Sequence, residues 1–79
     1  MDISDKRDLY FTAISLHKLH PQSIINFDLY LKIDRNYILF RHRNLRIDLA
    51  DIQRLLENST ETLYIHNNDR KNYRSYLEA

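Results

Sequence analysis

Residues 27 to 41 read Phe-Asp-Leu-Tyr-Leu-Lys-Ile-Asp-Arg-Asn-Tyr-Ile-Leu-Phe-Arg, and their alternation decides the fold class. Phe27, Leu29, Leu31 and Ile33 alternate with Asp28, Tyr30 and Lys32, the period of a half-buried strand. Asp34-Arg35-Asn36 follows, and Asn36 is the residue best suited to the left-handed conformation a short hairpin needs without glycine. Tyr37 to Arg41 returns as a second strand, with Ile38 and Phe40 on one face and Tyr37 and Leu39 on the other. Apolar character on both faces predicts a central, deeply covered strand.

Working outward, Leu9 to Leu16 is apolar and β-branched enough for a strand, with Tyr10, Thr12, Ile14 and Leu16 on one face, and a helix is the alternative there. Pro21 ends any regular element, so His17 to Ser23 reads as a connector in which Ser15 caps a single turn at Leu16 to Leu19. Asp48 predicts a helix N-cap, and Asp51 three residues on approximates a capping box. Leu49, Ile52, Leu55 and Leu56 then form one apolar stripe, ended by Asn58-Ser59. Glu61 to His66 reads as a strand with Leu63 and Ile65 facing in. Asn67 or Asn68 caps a last helix with Asp69 in its first turn, whose Tyr73, Tyr76 and Leu77 fall at i, i+3 and i+4. The expected fold is α+β, a small sheet of about four strands with two helices in the order β-β-β-α-β-α.

A chain of 79 residues is long enough for one core, so residues 1–79 read as a single module, with 1–8 a flexible N-terminal segment. Hydrophobic residues at 43% against 29% charged give the balance of a folding sequence. Twelve Lys and Arg against eleven Asp and Glu leave a net charge of +1, so no global field attracts nucleic acid or anionic lipid. The absence of cysteine excludes disulfides and thiolate metal sites. The absence of glycine excludes a Walker loop, a dinucleotide-binding turn and a G-x-S-x-G elbow. Mixed charge at the N-terminus does not make a signal peptide, and no apolar run approaches the ~20 residues of a membrane span. The expected location is the cytoplasm.

The candidate chemistry is sparse. His17 and His20 flank a connector without a third ligand, and His42 and His66 end strands, so no metal, cofactor or small-molecule ligand is expected. Asp48, Asp51 and Asp69 are explained by helix N-termini, Asp28 and Asp34 by a strand and its turn, and no catalytic residue is assigned. The reading is that the chain is not an enzyme. The one basic cluster holds Arg41, Arg43 and Arg46. It is either a possible anion contact, which makes weak nucleic-acid binding the alternative function, or an ordinary turn neutralised by Asp48, Asp51 and Glu57. Arg70 and Arg74 have the R-x-x-x-R spacing of the cyclic di-GMP receptor domain PilZ, but they lie within a helix in a glycine-free chain, and the spacing reads as coincidence. Six tyrosines and three phenylalanines exceed what so small a sheet covers, which predicts protein contact through Tyr30, Tyr64, Tyr73 and Tyr76, the alternative being that all four finish a small core. The partner is a second copy or an adjacent signalling domain.

FTAISLHKL at 11–19, FDLYLKI at 27–33, YILFR at 37–41 and TLYIHNNDRKNYRSYLE at 62–78 together resemble a small N-terminal module of bacterial signalling proteins. It is the module that precedes HD and HD-GYP phosphohydrolases, which degrade cyclic di-GMP. The family usually carries glycines in the turns at Asp34-Arg35-Asn36 and Arg43-Asn44, where asparagine stands here. The catalytic signatures are missing, since there is no His-Asp dipeptide and no Gly-Tyr-Pro. The resemblance therefore implies a regulatory or contact role linked to cyclic di-GMP signalling through a neighbouring domain.

Overall fold

The computed structural model of the chain describes residues 6–78. Four strands form one antiparallel sheet: β1 (Phe11–Ser15), β2 (Leu29–Ile33), β3 (Asn36–Arg41) and β4 (Thr62–His66). Helix α1 (Leu49–Glu57) lies between β3 and β4 in the chain, and α2 (Arg70–Glu78) follows β4. The expected α+β class and order of elements are those observed. The spatial order is β1-β4-β2-β3.

That order corrects one expectation: β3 is an edge strand, with Ile38 47% and Leu39 48% exposed. The central positions go to β2 and β4, because α1 carries the chain back across the sheet and inserts β4 beside β2. Leu63 and Ile65 of β4 are fully buried, as their alternation predicts. The β2–β3 ladder slips once: Leu29 faces Arg41 while Tyr30 faces Leu39, which leaves Phe40 as the extra residue of a bulge.

The turns are built without glycine. Ile33 pairs with Asn36, so the hairpin loop is Asp34-Arg35, and these two residues take φ 50° and 72°. Positive φ at both centres is what a two-residue hairpin demands. Asn36, expected to supply it, belongs instead to β3. At the end of α1, Ser59 adopts φ 61° and donates to the Leu56 carbonyl at 2.9 Å, while the Thr60 N–H reaches the Leu55 carbonyl at 2.8 Å. This is a Schellman closure with serine where glycine is usual.

Three local expectations change. Leu9 and Tyr10 are not in β1 but in a 3-10 turn, Lys6–Tyr10, and both side chains are exposed. Of the segment 1–8 read as flexible, residues 1–5 lie outside the described residues and Lys6 to Asp8 join that turn. Asp48 stands at the N-cap of α1, but its side chain makes no capping bond, and the Asp51 carboxylate pairs with Arg41 instead of completing a capping box. Before α2, His66 rather than an asparagine caps the turn, its Nδ1 accepting from the Asn68 N–H at 3.0 Å. The single turn after β1 is as expected, Leu16–Lys18 with the Ser15 hydroxyl accepting from the His17 N–H.

The core lies on one face of the sheet. Ile14, Leu29, Leu63 and Ile65 point toward Ile52 and Leu55 of α1, and Tyr73 and Tyr76 of α2 pack against them. Ile25, Phe27 and Ile47 complete it from two loops that run together through Gln22 N–H to Ile47 carbonyl, 2.7 Å, and Ile47 N–H to Ser23 carbonyl, 3.0 Å. Pairing these loop backbones satisfies groups that burial of Ile25 and Ile47 would otherwise orphan.

Candidate protein-contact surface

The sheet's other face carries no helix among the described residues and is surfaced by aromatic rings. Tyr30 and Tyr64 are cross-strand partners on the two central strands. Phe11 from β1 and Tyr37 from β3 close over them: Phe11 stacks on Tyr37 at 4.0 Å and meets Tyr30 edge-on at 4.9 Å, and Tyr37 meets Tyr64 edge-on at 5.3 Å. Period-two alternation puts these rings on one face, and sheet twist brings the edge rings together. Asp8 of the 3-10 turn accepts from the Tyr37 hydroxyl and from Lys32 Nζ, the latter at 3.1 Å. Burial and the Asp8 bond push the Tyr37 phenol up, and burial with the nearby Asp28 charge does the same to Tyr30.

Beside this cluster the β3 edge is apolar. Asn36 to Phe40 contains no charge, and Ile33, Ile38 and Leu39 are each about half exposed, on both faces of the hairpin. An edge strand without lysine or proline is a template for another chain.

Of the four tyrosines singled out for contact, the structure brings two together on the open face and sends two elsewhere. Tyr73 and Tyr76 cover Phe27, edge-on at 5.6 and 5.5 Å. The Tyr76 hydroxyl also accepts from the His20 N–H and shares a hydrogen bond with Ser23 Oγ, both at 2.7 Å, tying α2 to the His17–Ser23 connector.

The basic cluster is dispersed by internal pairing. Arg41 pairs with Asp51 of α1. Arg43 lies between two carboxylates: Asp28 Oδ1 accepts from its backbone N–H at 2.7 Å and its Nε at 3.3 Å, and Asp69 Oδ2 accepts from Nη2 at 2.8 Å. Arg46 donates to the Gln22 carbonyl at 3.3 Å. Burial pushes the Asp28 carboxyl up, but the Arg43 bonds outweigh it and hold the group below its ordinary value. Of the neutralising acids expected, Asp51 takes part, and Asp28 and Asp69 stand where Asp48 and Glu57 were expected. Asp69, buried at 4% exposure, anchors the start of α2 to the loop after β3. Sequence spacing carries no signal of this clamp, since its members lie 15 and 26 residues apart.

Asp28, Tyr30, Arg43, His66, Asn68 and Asp69 line a polar cleft of about 310 Å³. Its charges are already matched. His17 Nε2 lies 3.0 Å from Glu61, and His20 lies against Tyr76, ring centroids 5.6 Å apart. Among the described residues no three His, Cys, Asp or Glu side chains are grouped to hold a metal ion, and no helix is long and apolar enough to cross a membrane.

No family model and no curated protein matches the sequence. A solved structure does, described as an HDG"Y"P protein from Bdellovibrio bacteriovorus, with TM-score 0.75 and 26% sequence identity over 86% of this chain. The chain is similar to a part of that protein. It spans 22% of that protein's length.

Proposed function

We propose that the chain is a non-catalytic contact module of a bacterial signalling protein, docking through its β3 edge on a neighbouring HD-GYP phosphohydrolase domain and so acting in cyclic di-GMP signalling. One observation carries the reading: a module similar to 22% of an HD-GYP protein has an edge strand that is uncharged from Asn36 to Phe40, half exposed and flanked by aromatic rings. Ile33, Ile38 and Leu39 supply the apolar centre, and Tyr30, Tyr37 and Tyr64 supply a rigid wall with polar hydroxyls for the rim. The nucleic-acid alternative is weaker, because Arg41 and Arg43 are committed to Asp51, Asp28 and Asp69.

The test titrates isolated HD-GYP domains from the same genome with the chain and with Ile38→Lys and Leu39→Lys, whose exposed positions tolerate charge. One domain binds, and each lysine weakens it at least about tenfold, or ~1.4 kcal/mol. Binding unaffected by both lysines, or no binding by any domain, contradicts the reading. Hydrolysis of cyclic di-GMP by the chain alone, with manganese or iron supplied, contradicts its non-catalytic part.

A further inference from the structure

Opposite β3, the sheet ends in β1, which has no strand partner beyond β4 among the described residues. Between β1 and α2 runs a mainly apolar groove of about 270 Å³, lined by Thr12, Ile65, Tyr73 and Leu77 with Arg70 and Arg74. The four α2 residues fall at i, i+3, i+4 and i+7, one stripe of the helix. Thr12 and Ile65 are cross-strand partners on the core side of the sheet, so the groove is the margin of the core that α2 leaves uncovered. Its volume lies below the several hundred Å³ of a small-molecule site and suits a few side chains of a passing chain.

The two arginines are the informative groups. Arg41, Arg43 and Arg54 each pair with a carboxylate, whereas Arg70 and Arg74 do so with none among the described residues, and both are exposed. They stand four residues apart on the helix, about 6 Å along its axis. Same-face residues of an extended strand stand about 6.6 Å apart. A strand added to β1 therefore presents successive inward side chains at nearly the spacing of the arginines. We propose that the β1–α2 groove binds an extended acidic segment of a partner protein, which adds to β1 as a fifth strand. Acidic residues two apart meet Arg70 and Arg74, and flanking apolar residues enter beside Tyr73 and Leu77. Backbone pairing along Phe11–Ser15 supplies affinity, and the arginines supply selectivity.

The probe is a fluorescein-labelled peptide, Leu-Thr-Glu-Thr-Glu-Thr-Leu, which reads the same in both directions and so fits either strand polarity. The control replaces both Glu by Lys. Fluorescence anisotropy is expected to show saturable binding of the acidic peptide alone, weakened by added salt. Arg70→Ala and Arg74→Ala, surface changes that leave the core intact, each weaken it about two- to fivefold. Amide exchange at Phe11–Ser15 slows when the peptide is bound. Equal binding of both peptides, no saturable binding, or binding that leaves β1 exchange unaltered overturns the proposal. Leu39→Lys, on the opposite edge, leaves peptide binding unchanged, so failure here is distinguishable from failure of the β3 contact.

Discussion

Phe11 and Tyr37 belong to the two opposite edge strands, yet their rings stack with centroids 4.0 Å apart and planes 7° from parallel. The contact bridges the width of the sheet above Tyr30 and Tyr64, forming a second small cluster outside the main core. A double-mutant cycle with Phe11→Ala and Tyr37→Ala is expected to give a coupling of about 1 kcal/mol in urea unfolding. Additive losses would show that the rings stack without stabilising the sheet.

Arg43, in the loop after β3, ties the residue before β2, Asp28, to Asp69 at the start of α2. Removing it leaves Asp69 and Asp28 without their shared cation, with only His42, 3.8 Å from Asp28 and charged when protonated, beside them. Arg43→Ala should cost about 2 kcal/mol, below the range for a fully buried pair because the arginine is 38% exposed. Asp69→Asn, which keeps the shape and one hydrogen bond, should cost less. Chemical denaturation of the two variants checks the order.

Acid should expose the same clamp. The Asp28 carboxyl is held below its ordinary value of 3.8, so the unfolded chain binds its proton more readily than the folded one. Its contribution is present above about pH 4 and is lost as pH falls through the folded-state value. Stability of the wild type, measured as urea midpoint against pH, should therefore fall more steeply below pH 4 than that of Asp28→Asn. Parallel curves would remove Asp28 from the acid response.

Among the described residues, five hold positive φ, at 50° to 72°: Gln22, Asp34, Arg35, Asn44 and Ser59. The left-handed conformation costs roughly 1–2 kcal/mol at a residue with a Cβ, partly offset by the greater chain entropy that glycine loses. Arg35→Gly and Ser59→Gly should each stabilise the protein by about 0.5–1 kcal/mol. Thermal unfolding checks this, and a lower melting temperature for both would contradict the turn geometry.

Much of this fold is legible locally. Alternation over Phe27–Ile33 and Glu61–His66 gives two strands and their buried faces, and the stripe of Ile52 and Leu55 gives α1 and its contact with the core. Strand order is not legible, because the burial of β3 depends on which strand lies beside it. The run Tyr37–Phe40 is as apolar as a central strand, and only the return of β4 beside β2 makes it an edge. Asp51 illustrates the same limit: its spacing from Asp48 suits a capping box, but a charge-assisted bond to Arg41, ten residues away, is stronger. For the contact surface, the outward positions of Tyr30 and Tyr64 follow from strand period. The use of Tyr73 and Tyr76 on Phe27 depends on a tertiary contact that spacing does not encode.

The most direct test of the docking account is amide hydrogen exchange of the chain bound to the HD-GYP domain that retains it. The account predicts slowed exchange along Asn36–Arg41, with Tyr30 and Tyr64 in the protected footprint and Leu39→Lys abolishing it. Protection confined to other elements, or none on β3, would contradict it.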